Sequence, residues 1–534
     1  MTTEKKYYLR ANVLLEPLID RWYANTHLIS PATAVRNIKN RHLKIMTSFI
    51  DSPRVHEIAL QSPEMLGGPF MNISASEVQT VRNVVEETKA NLKNLLDFSD
   101  ALDELHYLLK DEATGYNLDE IYEEVPEILK GFIEIVYDLN NNASFKLKEA
   151  LLYKSDYYRE DMQSVVLQLV EDDERDFIFG TPRINYQDKL FLNIAFKNHF
   201  IDEISKMRWE PKTVNEILSI IDLDAEDEVK LMKLLTDKLP KQIEPFNNEG
   251  VRIRYFGHAC VLVETKNTAV IVDPFIGYDG FDIDLDRFTL NDLPNKIDAV
   301  IITHNHQDHV VLETLLPIRH KIKKLIVPRC NPGALQDPSL RLALTNIGFE
   351  NVVEMDEMDS QIIGDIVITG IPFMGEHSDL DINAKLCYHL KINNLSVLFA
   401  ADSCNIEPNL YKKVQKLIGD VDILFLGMEC DGAPLTWIYG PLLFEEMTPD
   451  EDRSRKLNGS NCLQGNSLVE IFNPKEVYVY AFGAEPWLKF MMGLEYQEDS
   501  LPILESNDLV RFCKEKGITS ERLYGKKELL RETD

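Results

Sequence analysis

Three histidines and one carboxylate fall within six consecutive positions, His304, Asn305, His306, Gln307, Asp308 and His309. They follow the apolar run Ala299-Val300-Ile301-Ile302, which reads as a buried strand. The imidazoles and the carboxylate therefore sit on the turn leaving a strand. His304 and His306 alternate and can point the same way. Asp308 and His309 serve a second direction, so one short loop can grip two metals. With 12 His in 534 residues, three within six positions stand apart from a polar loop with scattered histidines.

The chain that carries this loop is long enough for two large domains or more. Its 44% apolar content can fill real cores. Its 57 basic and 88 acidic residues give a net charge of −31, which disfavours a nucleic-acid reader and an anionic-membrane binder. The cysteines, Cys260, Cys330, Cys387, Cys404, Cys430, Cys462 and Cys513, are scattered, odd in number and form no CxxC pair. That argues against a disulfide framework or a zinc ribbon and suits a reducing cytosol. The start, MTTEKKYYLR, has no apolar signal core, and no stretch reaches the length of a spanning helix. A soluble, cytoplasmic protein is expected.

The two halves differ. Residues 1–247 read as a mixed, helix-rich α/β domain. Val78, Val81, Val84, Val85, Leu92, Leu95 and Leu96 recur at helical spacing after a capping stretch at 72–77. A second amphipathic stretch runs from Leu118 to Leu139 through Pro126. Phe177-Ile178-Phe179 and Leu190-Phe191-Leu192 look like strands around the turn Gly180-Thr181-Pro182. Residues 244–250 read as a linker. Beyond them short strands crowd together over 251–256, 260–264, 269–273, 299–303, 325–328, 366–370, 395–400, 423–426 and 477–480. Helical stretches separate the later ones, which suggests two packed sheets with helices outside. Residues 248–506 form this second domain. Residues 507–534 read as a capping helix with a charged, frayed end.

The motifs of this second half resemble the metallo-β-lactamase superfamily. They are Gly257-His258-Ala259-Cys260, Val272-Asp273-Pro274, Thr303 through His309, Gly375-Glu376-His377-Ser378 and Phe399-Ala400-Ala401-Asp402-Ser403. The resemblance implies an αββα sandwich with a dinuclear site at one edge. The histidine-rich loop gives four ligands, a later residue gives the fifth, and Asp402 bridges. The chain departs from that pattern at the end. Its final histidine is His389, so the last ligand is not imidazole. Glu429, after the apolar run 423–428, is well placed, and Glu485 is the weaker alternative. At the fifth position Glu376 and His377 are neighbours that point differently, and a zinc hydrolase would use His377. A carboxylate-rich set suits iron or manganese, although zinc also accepts carboxylates.

Length and arrangement also resemble the di-iron β-hydroxylases of nonribosomal peptide and antibiotic biosynthesis, the chloramphenicol-pathway β-hydroxylase family. This likeness spans nearly the whole chain. It includes Tyr8-Leu9-Arg10, Glu16 through Arg21 and Gly67-Gly68-Pro69-Phe70. It implies one iron on His304, His306 and Glu376, another on Asp308, His309 and Glu429, and Asp402 between them. It further implies an oxygen-dependent monooxygenase that hydroxylates the β-carbon of an aminoacyl group. That group is held as a thioester on a carrier domain of a nonribosomal peptide synthetase. Dioxygen is the co-substrate and an external reductase supplies electrons, since no flavin or nicotinamide motif is visible. The N-terminal half would pack over the metal domain, shape access and contribute to a homodimer. The alternative is a dinuclear zinc hydrolase, such as a lactonase, thioesterase or phosphodiesterase, using a metal-bound hydroxide.

Supporting roles follow from general chemistry. A ligating imidazole usually donates its other N–H to a carboxylate or carbonyl. Asp273 could orient His304 or His309. His258 could hydrogen-bond a ligand carboxylate, and His377 could stand behind the ligands. Cys404 and Cys430 flank two proposed ligands but suit small apolar filling. Trp437 and Tyr439 could line a pocket or merely pack. Arg319 through Lys324 and Arg453 through Lys456 are basic stretches that could meet an acidic carrier domain, or could be solvated surface.

Overall fold

Two seven-stranded sheets face each other across the C-terminal half of the chain. The computed structural model describes residues 4–532, apart from 63, 64, 66, 242, 281–284 and 494. The first sheet runs in the order Val352–Met355, Leu325–Pro328, Ala299–Ile301, Ala269–Val272, Cys260–Glu264, Val251–Gly257, Lys527–Arg531. The second runs Ser360–Ile363, Ile366–Pro372, Leu386–Ile392, Leu395–Phe399, Ile423–Gly427, Glu476–Tyr480, Thr519–Arg522. The strands alternate their side chains between two apolar layers. Val251, Ile253 and Tyr255 meet Ile368, Tyr388, Val397 and Phe425 in the layer between the sheets. On the outer face of the second sheet, Leu424 and Leu426 pack with Val414, Leu468 and Leu509 of the helices Pro408–Ile418, Cys462–Phe472 and Leu501–Glu515. This is the expected αββα sandwich.

The outer face of the first sheet is covered from both halves of the chain. Ile271, Val300 and Leu316 share one core with Leu14, Met46, Phe200 and Ile204. The N-terminal half mixes helices with a four-stranded and a three-stranded sheet. It also grips the helix Leu312–Ile318, which begins three residues after His309. Arg175 forks onto Glu313 with both contacts at 2.8 Å. Both side chains are largely buried, so removing one partner would cost roughly 3–5 kcal/mol.

The strands proposed over 251–480 form, with ends shifted by a few residues at most. Several other expectations are corrected. The stretch from Leu118 to Leu139 is not one helix. Only Ile121–Glu124 is helical before Pro126, and Ile133–Tyr137 pairs with Ala143–Leu147 as a hairpin. Leu190–Leu192 is a strand, but Phe177-Ile178-Phe179 is not. The last helix begins at Leu501, before 507, and the segment after it is not frayed. Thr519–Arg522 joins the second sheet and Lys527–Arg531 pairs with Val251–Tyr255 of the first. Thr533 and Asp534 lie outside the described residues, as do Met1 to Thr3 of the start examined for a signal core. Among the described residues no helix is long and apolar enough to cross a membrane.

Candidate metal centre

The ligand-type residues gather where parallel strands end. Ala269–Val272, Ala299–Ile301 and Leu325–Pro328 run parallel, as do Leu395–Phe399, Ile423–Gly427 and Glu476–Tyr480. Asp273, the histidine loop, Asp402 and Glu429 all follow carboxyl ends of these strands. That is the edge at which open α/β sheets hold ligands. Several non-glycine residues here take left-handed backbone, among them His258, Asp273, Glu376 and Ala401, with φ of 49°, 39°, 65° and 47°. Such strain costs about 1–3 kcal/mol per residue and is characteristic of functional sites.

Asp273 organises the loop. It is fully buried and accepts the Thr303 backbone N–H at 2.7 Å and the Thr303 hydroxyl at 2.5 Å. Its Oδ2 lies 2.9 Å from His309 Nδ1. That contact turns His309 Nε2 toward the centre, 2.8 Å from Asp402 Oδ2. The hydroxyl of Thr303 is 3.0 Å from His304 Nδ1, which leaves His304 Nε2 facing inward.

Three groups of ligand-type atoms result, each within 4.8 Å: His304, His306 and Glu376; His304, His309 and Asp402; His258, Asp308 and His309. His306 Nδ1 is 2.8 Å from Glu376 Oε1, and His304 Nε2 lies 3.8 Å from Asp402 Oδ2. The charges follow from this crowding. Burial opposes ionisation of Glu376, but His306 and His377 beside it bring its carboxyl down to about 2. Burial, reinforced by His309 and His306, pushes His304 well below its ordinary value. Burial works the same way on His309, yet Asp402, Asp308 and Asp273 around it raise it well above. Burial raises Asp402 despite His309.

These residues fit a dinuclear metal site. Asp402 Oδ1 and Glu429 Oε2 are buried without a hydrogen-bond partner. Orphaned buried acceptors are costly unless something else binds them. Cations held by these residues would satisfy both.

The proposed residues are not all equal in position. Glu429 stands outside the three tight groups. Its Oε1 accepts the Asp431 N–H at 3.2 Å, and burial, with Asp431 and Asp402 adding to it, pushes the carboxyl up to about 8. Glu485 is held by the Tyr255 hydroxyl. His377 is also outside the groups, its Nδ1 spent on Glu376 Oε2 at 2.8 Å. Burial takes its imidazole down to about 4. His258 sits 3.1 Å from Asp308 Oδ2 and is itself part of one group, so it stands closer to the centre than a supporting residue need be. No cysteine joins any group among the described residues, and all seven are free.

Two partners escape a reading of the chain alone. Tyr439, which the sequence offers only as pocket lining or packing, puts its hydroxyl 3.0 Å from His306 Nε2. Thr26, from the N-terminal half, donates to Asn305 Oδ1 at 2.5 Å. A cavity of about 470 Å³ reaches Gln307 of the ligand loop and is walled by Arg41, Gly67, Phe177 and Trp437. Neither basic stretch is a free patch. Arg319 and Lys321 are buried, Arg319 on Asp202. Arg453 and Lys456 pair with Asp450 and Asp431, and Arg455 donates to Ser378 O at 2.8 Å.

Comparison with known proteins accounts for both halves. Residues 8–239 match the family described as the diiron non-heme beta-hydroxylase N-terminal domain, and residues 252–437 match the beta-lactamase superfamily domain. The chain is 36% identical over 525 residues to the 4-amino-L-phenylalanyl-CmlP-peptidyl-carrier-protein 3-hydroxylase of Streptomyces venezuelae, covering 97% of this chain and 98% of that one. The crystal structure of CmlA, a diiron beta-hydroxylase from the same organism, superposes with a TM-score of 0.91 at 36% identity, covering 99% of this chain and 100% of that one. A metal-dependent hydrolase of Koribacter versatilis is 29% identical over 122 residues, only 23% of this chain and 46% of its own. That hydrolase likeness covers less than a quarter of the chain, while the hydroxylase likeness runs end to end. This chain belongs to the CmlA-type di-iron non-haem β-hydroxylases.

Proposed function

We propose that this enzyme hydroxylates the β-carbon of an aminoacyl group held as a thioester on the phosphopantetheine arm of a nonribosomal peptide synthetase carrier domain. The observation that carries the reading is the cluster of His304, His306 and Glu376, which His377 does not join. It stands in a chain 36% identical to a hydroxylase of a carrier-bound aminoacyl group. His304, His306 and Glu376 would hold one iron; Asp308, His309 and Glu429 would hold the other; Asp402 would bridge. When bound, the di-iron centre supplies the reductive activation of dioxygen that C–H hydroxylation needs. One oxygen atom enters the substrate and the other leaves as water, with two electrons and two protons from outside. A separate reductase delivers the electrons.

The chain's own residues do the positioning. Asp273 fixes the ring of His309, Tyr439 fixes that of His306, and His258 holds the Asp308 carboxylate. The cavity beside Gln307 admits the tethered group and its aromatic walls exclude water. We read residues 1–247 as shaping that access and forming a homodimer contact. A particle of only 61.4 kDa at low concentration would contradict the dimer. The free cysteines support a cytoplasmic location.

The zinc-hydrolase reading needs His377 as a ligand, and that ring faces Glu376 instead. Two variants test the choice. Glu376→Ala should lose metal and hydroxylation, while His377→Ala should keep most of its metal. With labelled dioxygen, carrier-bound product should gain one labelled oxygen atom. Loss of metal in His377→Ala but not in Glu376→Ala, or label arriving from water, would overturn the proposal.

A further inference from the structure

Among the described residues, the cavity beside the histidine loop contains a cation without an anion. Arg41 comes from the turn Ile38–His42, and Lys44 follows on the helix Leu43–Asp51. The chain carries a net charge of −31, so acidic partners are plentiful. Yet among the described residues no carboxylate lies within ion-pair distance of either side chain. Arg41 uses one nitrogen, Nη2, on the carbonyl oxygens of Thr436, at 3.3 Å, and Trp437. Its Nε and Nη1 make no hydrogen bond among the described residues. The guanidinium is thus held through Nη2, with Nε and Nη1 left to donate separately.

Its anchor is itself fixed. The indole of Trp437 donates to Gly67 O at 2.8 Å, and its ring stands 6.0 Å from that of Phe179, edge to face. Burial lowers the Arg41 guanidinium only to about 10, so it remains a cation at neutral pH. A preorganised guanidinium with unoccupied N–H donors is suited to a charge-assisted contact with phosphate or carboxylate. Lys44 is solvent-exposed at the same cavity and adds a second positive charge toward the outside.

The proposed substrate has one group that answers this description. Its reacting end is a thioester with an ammonium group, and neither is an anion. Its arm carries a single phosphodiester. We propose that Arg41, assisted by Lys44, binds the phosphate of the phosphopantetheine arm and so sets how far the thioester extends toward Gln307 and the ligand loop. This inference rests on the carrier-tethered reading given above.

The test is calorimetric titration of the full-length, iron-loaded protein with three probes: 4′-phosphopantetheine, pantetheine and inorganic phosphate. The phosphorylated arm should bind about tenfold or more tighter than pantetheine, as loss of a charge-assisted contact predicts. Arg41→Gln should reduce it to the pantetheine level, and Arg41→Lys should restore part of the difference. Lys44→Gln, at an exposed position, should remove a smaller part. Equal binding of the two arms to the unaltered protein would overturn the proposal. So would retention of the preference in both glutamine variants. Inorganic phosphate binding as tightly as 4′-phosphopantetheine would show an anion site unrelated to the arm, which also overturns it. Iron content and turnover measured on the same samples report on the hydroxylase reading separately. A missing phosphate preference in an iron-loaded, active protein defeats only this inference.

Discussion

At the scale of single residues, the ligand-type side chains of one loop could be read directly and the residues that contact them could not. His304, His306, Asp308 and His309 declare themselves because all four lie on one strand end. Tyr439 stands 133 positions beyond His306, and Thr26 stands 279 before Asn305. Nothing in their local sequence announces the partner. Tyr439 also carries a prediction. With its hydroxyl gone, His306 Nε2 is left buried without a partner, and the ring is free to turn away from Glu376. Tyr439→Phe should weaken iron retention by about 10–100-fold, as loss of an outer partner of a ligating histidine typically does. Iron remaining after timed exposure to a chelator measures this, with circular dichroism to confirm an unchanged fold. Retention equal to that of the unaltered protein would remove Tyr439 from the account.

At the scale of elements, apolar content decided which strands were legible. Val251–Gly257 and Cys260–Glu264 are buried throughout and stand out as apolar runs. Ser360–Ile363 and Lys527–Arg531 are half-exposed strands at the sheet edges, and their polar residues hide them. Leu386–Ile392 is central, but His389 and Lys391 interrupt its pattern. Close packing of strand ends also sets limits on residue size. A Cβ at Gly427 would stand 2.4 Å from Asp402 Oδ1 and 2.7 Å from Ala401 O. Gly427→Ala should therefore displace the Asp402 carboxylate. We expect a stability loss of roughly 1–3 kcal/mol, typical of overpacking, together with loss of bound iron. Denaturant unfolding and metal analysis of one preparation check both. A destabilised variant with full iron content would mean that Asp402 is not a ligand.

At the scale of the whole molecule, the two halves share a core that composition does not reveal and only the family resemblance implies. Composition and the irregular segment 244–250 suggest separate bodies, whereas Leu14 and Phe200 pack with Ile271 and Val300. Lys321 illustrates the consequence. It reads as part of a basic surface stretch, but its ammonium lies over the ring of Trp209 at 3.3 Å and donates to Pro294 O at 3.1 Å. Burial, aided by Arg208, lowers it from 10.5 to about 7. The unfolded chain takes up this proton below 10.5 and the folded chain only below about 7, so stability falls as pH falls across that window and is level beneath it. Lys321→Met should flatten this slope and stabilise the protein at pH 6 by on the order of 2 kcal/mol. Thermal unfolding across pH measures it, and an unchanged slope would show that Lys321 is not the titrating group.

The most direct test of the central claim is the metal content of protein purified from iron-supplemented cells, read beside its optical spectrum and that of Glu376→Ala. A dinuclear complement of iron, with an iron-dependent absorption that Glu376→Ala loses, is the predicted result. A site filled with zinc and colourless despite iron supplementation would contradict the account.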